Sequence, residues 1–169
     1  ARCLGDLYEA GVTEVFYKVA AHAMQVYGIQ SKFVHLDSSS FHLHCAYDRQ
    51  EPDQEAITIT NGYSKDHRPD LKQVVVQLIT SYKSALPVWF EALSGNSNDK
   101  KTFTATVKAY CKQLSASERA YVVMDSAGFS AATLKTAQEE DVRWLMRVPE
   151  TLAQAKQLVK DTLEADMSE

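Results

Sequence analysis

Two aspartates stand where a carboxylate can do chemistry. Asp37 closes an apolar run in HLDSSS, and Asp125 closes another in VVMDSAG. In open sheets with parallel strands, ligands gather off the carboxyl ends of strands, and the small residues after each acid leave room there. Two carboxylates a few ångströms apart repel unless a cation lies between them. Magnesium, a hard ion that prefers carboxylate oxygen, is the usual partner, and a pair of such ions can activate an attacking oxygen and steady a leaving one at phosphorus. A strand-end Asp taken alone reads equally well as a turn former or helix cap.

Other chemistries fit less well. A haloacid-type phosphatase wants a second Asp where Ser39 stands, and the antiparallel start of the chain does not suit a receiver domain. The loop GNSND lacks the Lys-Ser/Thr of a P-loop, and Ser38, Ser39 and Ser126 have no GxSxG around them. Alternation puts His42 and His44 on one strand face beside Cys45, but a third metal ligand at useful spacing is missing. The segment GYSKDHRPDLKQ sets His67, Arg68 and Lys72 against Asp66 and Asp70. It reads either as a solvated turn with internal salt bridges or as a loop presenting Arg68 and Lys72 to a polyanion.

The elements that must position these groups can be read from periodicity. Residues 4–10 suggest a short helix, Gly11 a break, and Val12, Val15, Phe16, Val19, Ala23, Val26 and Tyr27 one face of a second helix, with Thr13 as its N-cap and Gly28 as its stop. Residues 33–37 and 40–47 are extended, on either side of three serines. A loop over 48–56 leads to a short β-like start at Thr58 and a turn at Asn61-Gly62. Residues 71–82 and 87–93 form a hairpin. Phe103, Val107, Cys111 and Leu114 share a helix face, 120–124 is a buried strand, Ser130 caps a helix to about Gln138, 142–148 is a strand, and 151–165 is a closing amphipathic helix. This order predicts an α/β fold, one mixed sheet with helices on its faces.

Composition agrees with a soluble domain: 169 residues, 45% hydrophobic and 24% charged. A chain of this length hides roughly 70% of its unfolded surface without a disulfide or metal staple. The net charge of −4 argues against a dedicated, wholly basic nucleic-acid binder, while leaving room for an enzyme that touches DNA with one face. Three cysteines without CxxC spacing read as free thiols in a reducing compartment. No apolar run is long enough to span a membrane and the start lacks a signal-peptide core, so the expectation is a cytoplasmic protein without membrane contact.

In order along the chain, HLDSSSFHLH, GYSKDHRPDLKQVV, SALPVWFEALSGNSNDKKTF, VVMDSAGFS and RWLMRVPET resemble the catalytic core of DDE transposases of bacterial insertion sequences, nearest to insertion-sequence family four. The resemblance implies a ribonuclease-H-like fold: three antiparallel strands, then alternating α and β, with residues 1–30 a helical segment packing on a core of 31–169. It implies Asp37 and Asp125 as catalytic, metal-holding residues on adjacent strands, with Mg2+ (or Mn2+) as cofactor. The partners implied are transposon ends and target DNA, with His67, Arg68 and Lys72 as candidate phosphate contacts and a second copy of the chain as a candidate dimer partner. The family's third acid, a Glu within a Tyr-Arg-Glu-Lys pattern on a later helix, has no match: neither Glu150 nor Glu164 lies in that pattern. The expectation is therefore a core truncated before the third acid and inactive or nearly so alone, or else a non-catalytic module that binds DNA or a full-length partner as an inhibitor.

Overall fold

The computed structural model describes residues 2–44, 56–64, 67–114 and 120–162. Helices α1 (Arg2–Glu9) and α2 (Val12–Val26) precede strands β1 (Phe33–Leu43), β2 (Lys72–Ser81) and β3 (Pro87–Ser94). Then follow α3 (Asp99–Lys112), β4 (Tyr121–Met124), a single 3-10 turn (Ser126–Gly128), α4 (Ala131–Glu139), β5 (Trp144–Met146) and α5 (Ala153–Asp161). The strands form one sheet in the order β3-β2-β1-β4-β5. β2 pairs antiparallel with both β1 and β3, whereas β4 lies parallel to both β1 and β5. That arrangement, a three-stranded meander extended by parallel strands with α4 as crossover, is ribonuclease-H-like.

Alternation along the strands divides the sheet into two unlike faces. Val34 and Leu36 of β1, Ile79 of β2, Val122 and Met124 of β4 and Met146 of β5 turn inward onto Phe103, Val107, Tyr110 and Cys111 of α3 and Ala137 of α4. These residues are the core. Within it lies a polar knot: Gln77, fully buried, donates from Nε2 to Thr102 Oγ1 at 2.6 Å, and the Thr106 hydroxyl lies against both Gln77 Oε1 and Glu91 Oε2. A hydroxyl carries a single proton, so Thr106 donates fully to only one of the two acceptors.

The sequence reading needs correction in several places. The three serines do not interrupt a strand: β1 runs through them, because Ser38 takes an inward position and Ser39 and Ser40 keep the ladder with Val76 and Val75. The N-cap of the second helix is Gly11 (φ 79°), not Thr13. Its packing face is also rotated: Phe16 meets Phe90, Tyr17 meets Trp89 and Ala20 is buried, while Val19, Val26 and Tyr27 are exposed. α2 lies along β3, so residues reaching around that edge bury their surface and the rest of the apolar stripe does not. Asn61-Gly62 makes no hairpin. Instead Thr60 bridges to Gln73, and Gly62 sits so close to Gly95 that an added Cβ would fall 1.9 Å from the Gly95 carbonyl oxygen. The strand expected over 142–148 is only Trp144–Met146, and the last helix is described as Ala153–Asp161. Gly28 (φ 61°) and Ser130, which accepts from Thr133 N, end and begin helices as predicted.

Candidate active site

Asp37 lies inside β1, not at its end, yet it still lies at a carboxyl edge. The parallel ladder between β1 and β4 stops at Leu36 opposite Met124, so Asp37 and Asp125 are the next residues on adjacent strands. Leu36 and Met124 both turn into the core; the following residues therefore turn to the opposite face together. Neighbouring strands lie about 4.8 Å apart, so the backbones of the two acids lie side by side. Both acids are exposed there.

Each acid is held by local backbone. Asp37 Oδ1 accepts from Ser38 N at 2.8 Å, and Asp125 Oδ1 accepts from Ala127 N at 2.9 Å as the cap of the 3-10 turn. That turn packs closely on β4: a Cβ at residue 128 would lie 3.2 Å from Met124 Cβ, tighter than ordinary contact. Each carboxylate thus has one oxygen bonded to a backbone N–H and a second oxygen with acceptor capacity left. Two hard anionic donors, side by side and open to water, suit a divalent cation. Among the described residues no group of three His, Cys, Asp or Glu gathers to hold a metal. Glu150 pairs loosely with Arg147 at 3.4 Å, and Glu164 and Cys45 lie outside the described residues. His42 donates to or accepts from Ser64 Oγ at 3.0 Å, and His44 lies past the end of β1.

The basic residues occupy a different place. Lys72 opens β2 opposite Leu43, six register steps from the Leu78 that faces Asp37, or about 20 Å along the sheet. His67 adopts a left-handed backbone (φ 57°), and Arg68 makes a two-pronged bond to Asp70 at 2.9 and 2.7 Å. That fork pulls the Asp70 carboxyl down to about 2 and raises Arg68. Arg68 is thus not the free cation that one sequence reading allowed; the internal salt bridge is the arrangement present. Ser64 anchors the loop, its hydroxyl accepting from Arg68 N at 2.9 Å, and Gln73 Nε2 donates to the carbonyls of Tyr63 and Gly95. Sequence reasoning missed Ser64 and Gln73, whose roles depend on contacts between segments. It also passed over His35, which shares the Asp37 face by simple two-residue parity.

Residues 30–168 match the transposase DDE domain. The chain belongs to that family. The acidic pair on adjacent strands is thus set in a transposase DDE domain with a ribonuclease-H-like sheet. Similar solved structures include the Mos1 transposase paired-end complex with left transposon end, at 9% identity over 86% of this chain and 51% of that one, with a TM-score of 0.44. Another is the piggyBac transposase synaptic complex with hairpin DNA, at 11% identity over 80% of this chain and 27% of that one, TM-score 0.46. A third is the Mos1 mariner catalytic domain, at 8% identity over 89% and 71%, TM-score 0.44. This domain spans about half the length of the Mos1 chain in the paired-end complex. None of the curated proteins matches the chain. No helix among the described residues is long and apolar enough to cross a membrane.

Proposed function

We propose that this chain is the catalytic part of a DDE transposase of insertion-sequence family four, acting on transposon-end and target DNA, with residues 1–30 a helical segment on a core of 31–169. The observation that carries the reading is the register: Asp37 and Asp125, 88 positions apart in sequence, follow paired residues on adjacent parallel strands and face the same way. The two carboxylates would hold Mg2+, or Mn2+ in its place. When bound, such ions lower the pKa of water and offset charge at a phosphodiester. Asp37 and Asp125 hold their carboxylates at fixed positions through Ser38 N and Ala127 N, so neither must reorganise as charge builds at phosphorus. The open sheet face admits a strand of DNA alongside them, and no covalent bond to the protein is required for water or a 3′-hydroxyl to attack in line.

A second reading is a module that binds DNA ends or a fuller partner without cutting. Incubation with supercoiled plasmid in Mn2+ separates the two. The enzymatic reading expects slow nicking that disappears in both Asp37→Asn and Asp125→Asn. Binding without nicking supports the module, and nicking that survives both substitutions contradicts the assignment of the acids.

A further inference from the structure

The face that carries the acids carries a second cross-strand row. Tyr82 N donates to Phe33 O at 3.0 Å, Phe33 is registered with Tyr121, and Arg143 stands beside Tyr121, one step before the Val122–Trp144 pair. The row therefore reads Tyr82, Phe33, Tyr121, Arg143. Its rings are in contact: Phe33 and Tyr121 centroids lie 5.4 Å apart, Phe33 and Tyr82 lie 6.0 Å apart at 83°, and His35 lies 5.9 Å from Tyr82. Cations border it, with Lys32 Nζ 5.7 Å from the Phe33 centroid and Arg143 Cζ 5.7 Å from that of Tyr121. None of these residues belongs to the core, and Tyr82 is 49% exposed. Cross-strand aromatic pairs support a sheet by themselves. That role, however, calls for neither an exposed terminal ring nor cations beside the row.

We propose that this row is a stacking platform for an unpaired nucleobase, which lies on Tyr82 beside His35 while Lys32 and Arg143 meet the flanking phosphates. Aromatic faces accept any base, and neighbouring cations answer the backbone charge; together they are the chemistry of single-strand binding. Bases within a duplex have their faces covered, so the platform selects an unpaired one. The row lies four residues from Asp37 along β1, about 13 Å, on the same face. That distance equals about four base steps of a B-form strand. The inference rests on the DNA reading of the acidic pair and adds that the strand approaching it is locally unpaired.

The test uses residues 1–169 in EDTA, where cation chemistry is silent, with oligothymidine of about 12 nucleotides carrying one 2-aminopurine. Binding should quench the 2-aminopurine. Tyr82→Leu should weaken binding about 5-fold or more, Tyr82→Phe should restore it, and Arg143→Gln should weaken it with a shallower salt dependence. Circular dichroism of the Leu and Phe variants excludes misfolding as the cause. No binding, binding without quenching, or equal affinity in Tyr82→Leu overturns the proposal. So does self-association of the chain that depends on Tyr82 while oligonucleotide binding does not. Base stacking in EDTA with no nicking of plasmid in Mn2+ would instead count against the catalytic reading alone.

Discussion

At the scale of single residues, Asp125 has two jobs that substitution can separate. Its carboxylate caps the 3-10 turn through Ala127 N and stands beside Asp37. Asn keeps the cap, whereas Ala removes it, so Asp125→Asn should unfold within about 0.5 kcal/mol of the parent and Asp125→Ala about 1 kcal/mol earlier, by urea titration. Both should lose Mn2+-dependent nicking. Asp70 offers a check of a different kind. Its carboxyl is lowered from 3.8 to about 2, chiefly by the hydrogen bond from Arg68. A depressed carboxylate contributes stability that is present above the unfolded value and lost as pH falls through the folded one, here between about 4 and 2. The pair is exposed, so the effect on stability is small. NMR titration should place Asp70 near 2 and return it toward 3.8 in Arg68→Ala.

At the scale of elements, the chain's patterning showed which segments are strands and helices but not how residues 56–64 are held. Gln73 looks like an ordinary polar residue in a β-run; only the fold reveals its side chain buried and donating to Tyr63 and Gly95 carbonyls. Gly62 read as a turn signal, and its actual reason is the backbone of Gly95 against it. Gly62→Ala should therefore cost about 2 to 3 kcal/mol in a thermal or urea transition, well beyond the propensity change of a surface glycine. Likewise the α2 stripe was legible as a helix but not in its rotation, because only the β3 edge decides which side is covered. Asp37 was legible as a candidate because VHLD alternates. Its place inside a longer strand was hidden, since three serines carry no β-propensity signal. In the polar knot, Thr106→Val should cost about 1 to 3 kcal/mol, because buried Gln77 and half-buried Glu91 lose their shared donor.

At the scale of the whole molecule, one sheet presents two different surfaces. The inward face spends its apolar side chains on α3 and α4. The outward face carries the acids, His35 and the aromatic row in successive cross-strand rows about 7 Å apart. His67, Arg68 and Lys72 sit off the far end of β1, so any contact they make with DNA is remote from the acidic pair, and Arg68 must exchange Asp70 for a phosphate to make it. The central claim, that Asp37 and Asp125 share divalent cations, is tested most directly by anomalous diffraction from crystals soaked in Mn2+. The account predicts a manganese peak within about 2.2 Å of carboxylate oxygens from both residues, absent in Asp125→Asn. Manganese elsewhere on the surface, with the two acids turned apart and unliganded, would contradict it.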